Sequence, residues 1–203
     1  WLGAFQLATE THGQEYTTHE EVDLGRLSKR SGALNYEPRS RSREYVSFIQ
    51  AAEARRLWPE VTAWAAEAIA MGALPANDPF IVEKKAMAAT GLAADARDLA
   101  GMTRDAPTAA NGLTALGAAD KLLSAGNATD AERLFKIALE KGGVDRDRVL
   151  TRLGIAQLDL GKFADAKATF LQVSGPRATL GRLGAILADT KAAAAAAPAA
   201  PAQ

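Results

Sequence analysis

The chain has 203 residues, with 24 Lys plus Arg against 24 Asp plus Glu and no cysteine. No net positive charge is available to draw in nucleic acid or anionic lipid, and the absence of thiols excludes disulfides, thiolate zinc sites and cysteine nucleophiles. Hydrophobic residues make up 48% of the chain but aromatic ones only 6%, so the apolar material is largely alanine and leucine, which favours closely packed helices over a β-sandwich.

Residues 1–41 read as a polar, irregular segment. Trp1, Leu2, Phe5 and Leu7 form a small apolar cluster at its start. The only histidines, His12 and His19, lie among Glu10, Glu15, Glu20 and Glu21, but they do not share one helical turn and form no HExxH pattern, so no metal site is expected. Thr18 reads instead as the cap of a short helix, answered by Glu21. In the stretch YEPRSRSREY, Arg39, Arg41 and Arg43 alternate with serine, while Glu37 and Glu44 dilute the charge. It reads as a solvated linker and not as a phosphate-binding strip.

From residue 42 the chain becomes dense in Ala and Leu, and an internal repeat emerges. Gly91, Gly126 and Gly161 are 35 residues apart, as are the pairs Asp95-Ala96, Asp130-Ala131 and Asp165-Ala166. Ala100, Phe135 and Phe170 keep the same spacing, and so do Thr103, Ala138 and Val173. Each unit reads as an apolar-periodic helix, a glycine turn, and a second helix with Asp in its first turn and Ala and Phe along one face. Stepping back by one period gives a further unit in which Arg56-Leu57-Trp58 replaces the turn glycine. The spacing predicts helix pairs over 42–71, 77–104, 112–141 and 147–174. Leu180 to Asp189 predict one more helix, over 178–191, that caps the end. Residues 192–203 form an Ala/Pro-rich flexible tail in which Pro198 stops any helix.

These residues resemble the tetratricopeptide repeat. The best unit runs from Arg148 to Val173, with Gly154 where paired helices cross, the turn glycine Gly161, Phe163, the small Ala166 and Phe170 behind it. The unit at 112–143 keeps Ala119, Gly126, Ala131, Phe135 and Ala138, and the unit at 77–106 keeps Gly91 and Ala96. The resemblance implies an all-α fold, an α-α superhelix (solenoid) of about four helix pairs over 42–191. Stacked pairs of this kind bury a continuous core and offer a concave groove lined by the first helix of each pair.

The resemblance therefore implies a protein-interaction scaffold that holds a peptide or partner protein in the groove. Lys85, Asp120, Arg148, Arg152 and Ile155 are the expected partner-binding residues, with Ile81, Leu116 and Leu158 adding apolar area. Arg148 and Arg152 stand one turn apart, the spacing with which some members hold C-terminal carboxylates, but the matching positions of earlier units are Gly117 and Ile81. A solvated basic face near Asp145 and Asp147 is the other reading of this pair. The alternative function is a structural spacer or assembly module of a larger protein. No nucleophile elbow, phosphate loop or dinucleotide fingerprint is present, so neither catalysis nor a cofactor is expected. No apolar run reaches the ~20 residues of a bilayer span, so no membrane insertion is expected of these residues. No signal-peptide pattern follows Trp1, and an export signal would lie upstream of it. The tail and the missing cysteines lean toward a bacterial, exported protein and leave the compartment open.

Overall fold

The computed structural model describes residues 16–35 and 37–196. Trp1, Leu2, Phe5, Leu7, His12 and Tyr36, and the tail from residue 197, lie outside them. The described residues form nine α-helices and no strand: α1 (Thr18–Ser31), α2 (Ser42–Ala54), α3 (Trp58–Ala70), α4 (Pro79–Asp105), α5 (Leu113–Ser124), α6 (Ala128–Lys141), α7 (Arg146–Asp159), α8 (Phe163–Phe170) and α9 (Ala178–Ala196). Successive helices pack on one another, and α3, α5, α7 and α9 also touch in sequence along one side. No described helix is long and apolar enough to cross a membrane.

Three of the expected pairs stand where the periodicity puts them: α2 with α3, α5 with α6, and α7 with α8. Their cores are the residues of the repeat register. Val61, Ala65 and Ala68, then Ala131, Phe135 and Ala138, then Ala166 and Phe170, are all fully buried. Phe170 is closely packed from two sides. A Cβ at Gly154 would lie 2.7 Å from its ring and one at Gly184 only 2.5 Å, so both glycines are small because the phenyl ring occupies that space. The ring thus joins α7, α8 and α9, and α9 caps the stack as expected. It also runs five residues into the alanine tail, to Ala196, an extension that the alanines before Pro198 allow.

The unit at 77–104 is not a pair. α4 is one continuous helix of 27 residues, and Gly91 sits inside it with no turn. Gly91 is small for a different reason: a Cβ there would come within 2.2 Å of the Trp58 indole. The register positions that are core elsewhere, Ala96 and Ala100, are exposed on α4.

The turn position itself is kept. Gly126 and Gly161 have φ of 80° and 70°, and Arg56, one turn earlier in the same register, has φ of 54°. A non-glycine residue in this left-handed region costs on the order of 1 kcal/mol.

The segment read as irregular also holds a helix. Thr17 caps α1 through its side chain, which accepts from the His19 amide, while the Glu20 carboxylate accepts from the Thr17 amide at 2.9 Å. This is the expected capping box displaced by one residue. Gly32, with φ of 76°, ends the helix. Val22, Leu24 and Leu27 are buried, and Gly25 lets Phe48 of α2 approach to where a Cβ would meet its ring at 2.8 Å.

Candidate functional site

α1 packs against α2, α7 and α9. It runs parallel to α7 with a constant offset. His19 faces Arg148, Asp23 faces Arg152 and Arg30 faces Asp159, each pair 129 residues apart in the chain. Burying a polar helix in this way is tolerable only if its charges are paired and hydrogen-bonded, and they are. Asp23 is fully buried and receives three guanidinium groups. Arg152 Nε donates to it at 2.9 Å, Arg177 Nη1 at 2.7 Å and Arg26 Nη1 at 3.2 Å. Burial alone would raise the Asp23 pKa, but Arg152, Arg177 and Arg26 outweigh it and hold the carboxyl at about 2.

Each of those arginines has a second acid. Arg26 makes a two-pronged contact with Glu60, at 2.7 and 2.9 Å. Arg152 also donates to Asp120, and Arg177 pairs with Glu20 at 2.6 Å. At the far end of α1, Arg30 grips Asp159 through two contacts of 2.6 Å, and Lys29 pairs with Glu67.

This arrangement corrects the expected groove. Arg152 is 1% exposed and Ile155 fully buried, so neither is available to a partner. Asp120 is half-buried and committed to Arg152, and Arg148 is half-buried and turned toward His19. Lys85 is exposed on α4 and belongs to a different face. Ile81, Leu116 and Leu158 are core residues, not groove lining. The five candidate residues do not form one exposed surface, because Arg152 and Ile155 are buried, Asp120 and Arg148 are half-buried in contact with Arg152 and His19, and Lys85 lies apart on α4. The Arg148–Arg152 pair is likewise no open carboxylate clamp.

The cleft at the first turn of α1 is basic. At the first turn of α1, the His19 ring is met by Arg55 Nη1 and Arg148 Nη1, each 2.9 Å from Nε2, and by Arg152 Nη2 at 3.2 Å from Nδ1. Burial, then the charges of Arg152, Arg148 and Arg55, lower the His19 pKa to about 3, so the imidazole is neutral at physiological pH. Burial and the neighbouring Arg152 also lower the pKa of Arg148. Among the described residues no group of three His, Cys, Asp or Glu side chains is placed to hold a metal ion.

The second exposed feature is the face of α4. At 3.6 residues per turn, Val82, Ala86, Ala89, Ala93, Ala96 and Ala100 share one side of the helix, and all six are exposed. Lys85 and Leu92 border this stripe, and Val82 is 55% exposed. Comparison of the chain with protein-family models, with curated proteins and with solved structures returned no match.

Proposed function

We propose that the protein is a protein-interaction scaffold built from tetratricopeptide-like helix pairs in a solenoid, and that its partner surface is the open face of α4. One observation carries this reading. The register positions Ala96 and Ala100 correspond to Ala131 and Phe135, which are core in the next unit, yet on α4 they face solvent. A stripe of small apolar residues along so long a helix offers a partner's amphipathic helix close approach, with Lys85 and Arg97 at its edges to select charge. The packing of α1 on α7 and α9, which buries Arg152 and Ile155, favours this ridge over the concave side as the docking surface.

The test is photo-crosslinking from position 93, with position 167 on the far side of the array as control. The captured protein is identified, purified and titrated against the chain. Binding should fall at least tenfold with Ala93→Glu and Ala96→Glu, while helicity and Lys167→Glu binding stay unchanged. Equal crosslinking from both positions, or binding indifferent to both alanine variants, refutes the proposal. The packing of α1 on α7 and α9 also favours a second reading, in which the array is a rigid spacer or assembly module of a larger exported protein. That reading expects no specific partner at either position.

A further inference from the structure

We propose that the cleft at the first turn of α1 is an oxyanion site, built by Arg55, Arg56 and Arg148 around His19 and selective for a phosphate-type dianion. It is independent of the reading given to α4.

At the His19 ring donors outnumber acceptors, while one acid oxygen at the cleft, Asp120 Oδ1, is buried without a partner. A neutral imidazole offers one lone pair, yet Arg55 Nη1 and Arg148 Nη1 both approach His19 Nε2 at 2.9 Å. Arg148 Nε is buried with no acceptor at all. Among the described residues, Arg55, Arg56 and Arg148 form no ion pair. The other charged groups at the cleft are engaged: one oxygen of Asp120 with Arg152, and Lys121 with Asp95 at 2.5 Å. The guanidinium groups of Arg55, Arg56 and Arg148 thus gather at the cleft without a direct acid partner, Asp120 and Asp145 acting on Arg148 only from beyond ion-pair distance.

Space is available for a ligand. A cavity of about 250 Å³ opens there, with His19, Arg55, Arg56, Asp120 and Lys121 in its lining; Arg148 is not in the lining and reaches it through His19. The cavity holds roughly eight water volumes at ~30 Å³ each, enough for a hydrated tetrahedral anion. Such an anion offers several acceptor oxygens, each able to take a charge-assisted hydrogen bond from a guanidinium fork. Arg56 adds an independent indication. It holds the left-handed conformation that Gly126 and Gly161 hold in the sister turns, and it lines the cavity. A costly backbone conformation retained by an arginine at a cleft fits a binding role.

The charged groups around His19 are Arg55 just after α2, Arg148 and Arg152 of α7, Asp23 on its own helix, and Asp120 and Lys121 of α5, which line the same cavity. A dianion among these arginines lessens the field that keeps the imidazole neutral, so its binding is read directly on the ring. The experiment is an NMR titration of the His19 imidazole in the full chain carrying His12→Asn, with inorganic phosphate at ionic strength held constant by sodium chloride. A saturable shift is expected, with a Kd of millimolar or lower and an upward move of the His19 pKa. Acetate should bind at least tenfold more weakly. Arg55→Gln with Arg148→Gln should abolish the shift, and Arg56→Gln, at an exposed position, should weaken it several-fold without loss of helicity.

A response to phosphate no larger than that to chloride overturns the site. Equal binding of acetate and phosphate overturns its selectivity for a dianion. If the double variant does not fold, the Arg56→Gln result decides, and unchanged affinity there refutes the proposal.

Discussion

Removing the Asp23 carboxylate is the sharpest single perturbation of this architecture. In Asp23→Asn, the three guanidinium contacts at 2.7, 2.9 and 3.2 Å lose their charged acceptor. Taken singly, hydrogen bonds to a charged group contribute about 1.5–3 kcal/mol each. Their sum overstates the loss, since Arg26, Arg152 and Arg177 keep Glu60, Asp120 and Glu20. Breaking a buried pair by removing one partner costs about 3–5 kcal/mol, and that is the expected destabilisation at pH 7. Part of it depends on pH in a calculable way. The Asp23 pKa falls from 3.8 to about 2 on folding. A depressed carboxyl stabilises the fold above its unfolded pKa and loses that contribution as pH falls through the folded value. The gap between the parent and Asp23→Asn should therefore shrink by about 1 kcal/mol on going from pH 7 to pH 3. Urea unfolding followed by circular dichroism at both pH values measures this. A difference below about 1 kcal/mol at pH 7, or one that does not change with pH, would falsify the claim that Asp23 ties α1 to α7.

Other outcomes follow from the packing. Phe170→Ala should cost about 3–5 kcal/mol, because its ring fills the space against Gly154 and Gly184, and Ala166→Leu should cost about 1–3 kcal/mol by overpacking; thermal unfolding checks both. Arg56→Gly should raise stability by about 1 kcal/mol by relieving the left-handed backbone, measured by chemical denaturation; a loss would mean that its side-chain contacts outweigh the strain. Ala96→Glu and Ala131→Glu change the same repeat position, but the first should alter stability by less than about 0.5 kcal/mol and the second should unfold the chain. Comparable effects would contradict the exposure of the α4 face.

Two of the true pairs, α5–α6 and α7–α8, were legible because their glycines, aspartates and phenylalanines recur in one register and local chemistry agrees with it; α2–α3, with Arg56 in place of the glycine, followed only by extending the period. Gly126 is followed by Asn127, whose side chain accepts from the Asp130 amide and starts α6. Gly91 is followed by Leu92-Ala93-Ala94, strong helix formers with no cap, so the helix runs on through the glycine. That run was a readable sign against a turn; the need for space beside Trp58 was not readable, since it depends on a tertiary contact. α1 was hidden for another reason. It buries Asp23, Arg26 and Ser28 alongside Val22, Leu24 and Leu27, so no apolar stripe marks its inward face. The charges that satisfy it come from Glu60, Arg152 and Arg177, far along the chain. His19, Arg55 and Arg148 meet only once α1 has docked, so their cleft could not be found from spacing.

The offset of 129 residues between α1 and α7 bears on how the protein folds. In an array joined only through nearest neighbours, terminal units fray and contacts form locally. Here the first helix is locked to the seventh by His19–Arg148, Asp23–Arg152 and Arg30–Asp159. Those contacts require a long loop to close before they return any energy, so they should be among the last to form and should slow the final step of folding. Once made, they bind the two ends of the array into one cooperative unit. Amide protons of α1 should then exchange with the same protection as those of α7, and deletion of α9, which carries part of the seat for α1, should loosen helices at both ends at once.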